Sequence, residues 1–205
     1  MLPAGSTLTT RDLILEVASR RFADHGYAGT SLNEIADEVG IRRPSVLHHF
    51  PSKEALYRAV LIESLAGWTA LVDQAVDGTR AGWPQVERML RAAFQFFEER
   101  PDFVRLVRWA ALEGGPILRE ELNVLLKPLF ERGAAFLERE MAAGRLRQYD
   151  ARQLLLTGYG AVLSYLSDGQ LMSGLLDTDP LSPEALAARR EHVLDVLRAA
   201  IAITN

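Results

Sequence analysis

Along this chain apolar residues recur at three- and four-residue spacing almost from end to end, the mark of amphipathic helices. Alternating runs of β-branched residues between turn clusters are missing, so no strand is expected. A first helix is expected from about Thr10 to His25, burying Leu13, Ile14, Val17, Ala18, Arg21 and Phe22, with Gly26 as its stop. A second, short helix opens at Thr30 or Ser31, and Ser31 with Glu34 makes a capping box. It closes at Val39–Gly40. A third begins near Pro44, a residue suited to a first helical turn, and ends about Phe50–Pro51. Ser52 then caps a fourth, starting at Lys53.

Longer amphipathic helices fill the remainder, with breaks at Asp77–Trp83, Arg100–Pro101, Gly114–Pro116, Gly144–Tyr149 and Ser173–Pro183. Pro128 either kinks a helix or starts one. The expected fold class is all-α in two parts. Residues 1–52 form a three-helix domain, and residues 53–205 form a larger helical domain that the fourth helix joins to it.

Composition changes this picture mainly by exclusion. The 205 residues are 48% hydrophobic and 24% charged, ordinary for a folded protein. With no cysteine, disulfides, thiolate metal sites and cysteine nucleophiles are excluded. The start, MLPAGSTLTTRDL, lacks the basic segment and apolar core of a signal peptide. No uninterrupted apolar run approaches the roughly 18 residues of a membrane span, so a soluble, cytoplasmic protein is expected. The chain has no Gly-rich phosphate loop, no metal-ligand spacing and no nucleophile beside a base. Glu98–Glu99 and Glu120–Glu121 are sequence neighbours that diverge on a helix, and His192 lies in a charged RREH stretch. Neither an enzyme nor a metal or cofactor is expected.

Net charge is −4, but its distribution says more than its sum. Residues 1–60 are balanced, so the whole deficit lies in residues 61–205. Between Glu38 and Glu54 there is no carboxylate, yet Arg42, Arg43, His48, His49 and Lys53 all fall there. A local positive patch on an acidic chain points to nucleic acid.

That patch coincides with two short helices joined by a tight turn at Val39–Gly40–Ile41, a helix–turn–helix. Helical hairpins of this kind also occur as plain structure. In the third helix Val46 and Phe50, four apart, should face the core, which turns Arg43, Pro44, Leu47 and His48 outward with Ser45 at the margin. An acid-free face carrying Arg and His suits the major groove, where Arg pairs with guanine and Ser reaches bases or phosphates. An outward Leu47 either meets a thymine methyl or a sugar, or is an incidental exposed apolar residue. Lys53, on the first turn of its helix, opposes the macrodipole but is well placed as a phosphate clamp. Thr30 and Ser31 take a similar phosphate-facing role beside, or in place of, plain capping. His48 and His49 point about 100° apart and cannot chelate together, and His49 is expected to pack inward or bond locally.

The run TSLNEIADEVGIRRPSVLHHFPSKEAL, preceded by VASRRFADHGYAGTS, closely resembles the DNA-binding segment of the TetR family of transcriptional repressors over about residues 10–60. The resemblance rests on Gly26–Tyr27, Ile35–Ala36, Gly40, His49–Phe50 and Ser52–Lys53–Glu54 with Leu56. It implies a homodimer whose third helices enter successive major grooves of a pseudo-palindromic operator in double-stranded DNA. It also implies a small, largely apolar ligand in the larger domain that releases the DNA, the alternative being a DNA-binding regulator or activator that is independent of ligand or needs a corepressor. Carried over by position, Arg42, Arg43, Ser45, Leu47 and His48 fall on contact positions and Lys53 on the phosphate clamp. The chain departs from the family's usual Tyr at Leu47 and from its small capping residue at Arg42.

The larger domain offers candidates for the ligand and the dimer. Residues 61–171 hold 12 of the 16 aromatic residues, which serve either as core or as cavity lining. Trp68, Phe94, Phe97, Trp109, Phe130 and Tyr159 are the candidate lining, and Arg105, with Arg108 and Glu113 on the same helix, either faces inward as a charged selector or is simply solvated. Gly158, Val162 and Leu166 of one late helix, with Val193, Leu197 and Ile201 of the last, are the candidate dimer surface. The alternative is that these faces complete the protomer's own core.

Overall fold

The computed structural model describes residues 8–76, 80–113, 120, 124 and 126–203. Each of the first four helices starts or stops where local chemistry demands it. Helix α1 (Thr10–Gly29) is capped by Thr9, whose hydroxyl and amide exchange hydrogen bonds with Asp12. Gly26 interrupts it with φ 70° and ψ 179°, so the expected stop is a kink, after which the chain turns once more to Gly29. Ser31 caps α2 (Leu32–Val39) by accepting from the Asn33 amide at 3.1 Å, while Glu34 accepts the Ser31 amide at 3.2 Å. Gly40 closes α2 in the left-handed conformation. Helix α3 (Arg43–His49) carries Pro44 in its first turn and no side-chain cap from Arg42. The Ser52 hydroxyl, accepting the Ala55 amide at 3.0 Å, opens α4 (Lys53–Val76).

Beyond these, α5 spans Trp83–Glu98 and α6 spans Pro101–Glu113. Helix α7 (Lys127–Ala142) has Pro128 in its first turn, so this proline starts a helix instead of kinking one. Asp150 caps α8 (Ala151–Tyr159), which runs on through a π-helical turn at Gly160–Ser164 and a last turn at Tyr165–Ser167. Helix α9 (Gly169–Leu176) carries helical structure past Ser173, so the break expected at Ser173–Pro183 narrows to the segment around Asp177. Helix α10 (Pro183–Ile201) follows, capped by Ser182. The break expected at Gly114–Pro116 lies outside the described residues, as do Asp77, Gly78 and Thr79. Among the described residues the only extended pairing is an isolated antiparallel bridge between Leu146 and Ala202.

Two apolar cores result. The first gathers Ile14, Ala18, Phe22, Ile35, Val46 and Leu56 and is closed by Leu106 of α6. Leu13, expected inside, sits at its edge and is 39% exposed. The second joins α5, α6, α7, α8 and α10 around Phe94, Phe96, Phe136, Leu163 and Leu194. Helix α4 serves both, giving Leu56, Val60 and Leu61 to the first and Leu65 to the second. This double duty makes Lys53–Asp73 apolar enough to pass for a membrane span by length and composition, with mean hydropathy 1.3. Helix α6 also serves both, with Leu106 in the first core and Phe103 and Val104 in the second.

Candidate nucleic-acid interface and ligand cavity

Helix α3 owes its orientation to Val46, fully buried, and to Phe50 just beyond its end, which anchor one face on the first core. The opposite face carries Arg42, Arg43, Pro44, Ser45 and His48, all exposed. Neither arginine forms an ion pair with a described residue, while Arg20 and Arg21 nearby are both tied to Glu38, at 3.0 and 2.7 Å. This face thus keeps its cations available to an incoming anion. Arg11 lies over the Phe50 ring at 5.3 Å and extends the positive surface at the start of α1.

Several expected residues sit differently. Thr30 is buried, and its hydroxyl donates to the Gly26 and Arg21 carbonyls at 2.8 and 3.1 Å, so it closes α1 and faces no phosphate. Ser31 spends its hydroxyl on capping and stays half-buried. Leu47 is half-buried against the first core instead of turned fully outward. His49 is exposed, its ring edge-on to His48 at 5.6 Å, instead of packing inward. Lys53 lies 4.5 Å over the Tyr27 ring with its ammonium 3.4 Å from the Ala28 carbonyl. Burial holds its pKa below the usual lysine range, against the pull of Glu113 and Glu34.

In the larger domain a cavity of about 300 Å³ opens between α4, α5, α6, α7, α8 and α10. Trp68, Phe97, Phe130 and Tyr159 line it, together with aliphatic residues such as Leu71, Val86, Leu129 and Leu155. Among the described residues no charged side chain is on the lining. The nitrogen and oxygen groups that lining side chains offer there are the Trp68 indole and the Tyr159 hydroxyl, and Tyr159, 51% exposed, stands at the mouth. Burial of the Tyr159 hydroxyl raises its pKa, and the nearby Arg108 opposes this.

Three of the expected lining residues are elsewhere. Phe94 is fully buried within the second core. Arg105 points outward to Asp102 and Asp24, at 2.7 and 3.1 Å. Trp109 packs toward Gly26, on the α1 side of α6. The aliphatic lining was not foreseen, because periodicity carries no signal that separates a leucine facing a void from one facing a neighbour.

The residues expected on a dimer surface are mostly buried within the protomer. Val162, Val193, Leu197 and Ile201 are buried in the protomer's own second core, with Leu166 packed against it, and Gly158 lines the cavity. The outward faces of the same helices are the uncovered ones. Leu156 of α8 is 50% exposed, and Val196 of α10 is 53% exposed, in line with exposed Ala188, His192 and Ala199.

A helix–turn–helix head with a cationic outer face, joined to a helical body with an apolar cavity, defines a ligand-sensing DNA-binding regulator. Residues 14–60 match the model of the bacterial regulatory proteins of the tetR family, and residues 84–197 match the tetracyclin repressor-like C-terminal domain. The HTH-type transcriptional regulator RutR of Escherichia coli K12 is 31% identical over 152 residues, covering 74% of this chain and 71% of that protein. The chain belongs to the TetR family of transcriptional regulators.

Solved structures share the fold at lower identity. FadR of Bacillus subtilis, in complex with stearoyl-CoA, is 16% identical with TM-score 0.72, covering 90% of this chain and 96% of that one. AibR, in complex with isovaleryl coenzyme A and operator DNA, is 17% identical with TM-score 0.75, covering 92% and 97%.

Proposed function

We propose that this regulator is a cytoplasmic homodimeric repressor that leaves its operator when an acyl chain or a similarly apolar ligand fills the cavity. The single observation that carries the ligand class is the lining, which among the described residues offers apolar walls and no charged side chain. Two structural neighbours solved with acyl-CoA thioesters support the same class. On the DNA side, Arg42, Arg43, Pro44, Ser45 and His48 supply the reading face, Leu47 its apolar margin, and Lys53 the phosphate contact, reached from its rest on Tyr27. Two heads then sit one DNA turn apart, roughly 34–36 Å. The free faces of α8 and α10, through Leu156, Val196 and Ala199, form the dimer surface.

The test is selection of bound duplexes from a random pool at fixed salt, followed by titration of the recovered complex with acyl-CoA thioesters of graded chain length. An enriched inverted repeat, released by longer chains at lower concentration, is expected. A complex indifferent to every thioester and to uncharged long-chain alcohols overturns the ligand reading and leaves the DNA reading standing. Within the same assay Arg43→Ala should weaken specific binding more than non-specific binding, and equal losses would reduce Arg43 to a phosphate contact.

A further inference from the structure

The α1–α6 seam holds a feature that neither the reading face nor the cavity requires. Glu113, at the end of α6, accepts the Tyr27 amide at 3.0 Å and the Ala28 amide at 3.3 Å. These are the first two amides after the Gly26 kink, and Gly26 itself leaves room for the carboxylate. A Cβ there would lie 2.5 Å from Glu113 Oε1 and 3.0 Å from Trp109 Cε3. The segment so held is the one on which Lys53 rests, its ammonium over the Tyr27 ring and against the Ala28 carbonyl. Arg105, two turns earlier on α6, ties the same seam to Asp24.

We propose that Glu113 is a positioning residue for operator binding. By holding the Tyr27 and Ala28 amides from the sensor side, it fixes the corner that aims Lys53 at a DNA phosphate. The proposal rests on the reading of Lys53 as a phosphate contact.

Helix α6 is built for this role. Phe103 and Val107 line the cavity, Leu106 is buried in the core of the reading head, and Glu113 grips the corner beyond it. One rigid element thus touches the ligand space, the head's interior and the support of its phosphate contact. The acceptor is a carboxylate, and charged hydrogen bonds are about twice as strong as neutral ones. Because Glu113 is exposed, its removal leaves both cores intact.

The experiment uses the full chain and an operator recovered by selection, with affinity measured against salt. Wild-type binding comes first, and its absence would sink the operator reading itself. Given that binding, Glu113→Ala should keep the wild-type melting temperature but lose about tenfold in affinity, the scale of ordering one side chain in each of the two heads. Its salt slope should be shallower by about 1.8, the increment of one lysine–phosphate pair in each of the two heads. Lys53→Ala should cost wild type as much, and cost Glu113→Ala nothing further. Glu113→Gln, whose single amide oxygen accepts one of the two N–H groups while its NH2 faces the other, should restore the slope only in part. If Glu113→Ala melts early, Glu113→Asp, with the carboxylate drawn back by one methylene, takes its place in the same comparison. An unchanged slope in the Glu113 variant, or full additivity with Lys53→Ala, would overturn the proposal while leaving operator binding intact.

Discussion

Gly26 and Gly40 place the same residue type under two different demands. At Gly40 the backbone is left-handed, φ 79° and ψ 30°, and a Cβ would meet nothing within 4 Å. Gly40→Ala should therefore cost only the conformational strain, about 1 kcal/mol in urea unfolding. At Gly26, ψ 179° with φ 70° is a combination nearly confined to glycine, and the Glu113 carboxylate occupies the space as well. Gly26→Ala should cost about 3 kcal/mol. Equal losses at the two positions would show that the α6 seam does not press on α1.

Glu140 makes a second residue-scale prediction. Almost fully buried, it accepts from Arg145 Nε at 2.7 Å and from the Gly82 amide at 2.7 Å. The Arg145 guanidinium and then the Gly82 amide hold its carboxyl below the ordinary 4.5, against the opposing effect of burial. A depressed pKa means stabilisation that is present above the unfolded value and lost as pH falls through the folded one. Glu140→Ala should cost about 2 kcal/mol at neutral pH by stranding the buried Gly82 donor. The gap between wild type and Glu140→Gln should shrink as the solution is acidified below about pH 4.5. A gap that stayed constant down to about pH 3 would contradict this account.

At the scale of elements, what could be read from sequence depended on how local its cause was. The capping box of Ser31 and Glu34, the turn at Gly40 and the start at Ser52 are set by residues within a few positions of one another. They stand where the pattern put them. Thr30 escaped because its hydroxyl bonds backward to Gly26 and Arg21, across the kink. Leu47 escaped because a helix of seven residues packs at a margin that periodicity does not resolve. In the body, the strongest apolar stripe of α10, Val193, Leu197 and Ile201, went to the protomer's own core. The weaker stripe through Ala188, His192, Val196 and Ala199 was left outside. A cavity is invisible to pattern, since its walls are core residues with nothing opposite them. Ala93, small and on that wall, gives a direct check: Ala93→Phe should fill the space and block thioester-induced release while operator binding persists. Undiminished release by the variant would mean that the ligand sits elsewhere.

For the whole molecule the same contrast separates folding from assembly. Val193 is 4% exposed and Val196 53% exposed, three residues apart on one helix. Val196→Glu should yield a folded monomer by sedimentation, with operator affinity abolished because two half-sites need two heads. Val193→Glu should instead abolish the cooperative melt, since an unpaired charge would be buried in the second core. A dimeric Val196→Glu would place the interface on another face.

The near absence of polar anchors in the cavity also sets how finely such a sensor discriminates. With the Trp68 indole and the Tyr159 hydroxyl, among the described residues, as the groups that orient an occupant, rank among occupants follows size and fit. Each added methylene brings about 0.8 kcal/mol, or close to fourfold in affinity, until the space is full. Such a scale grades a homologous series smoothly and singles out no member by its functional groups. The quantity reported to the genome is then the summed abundance of a chemical class, weighted by chain length, and the switch behaves as a gauge of pool size.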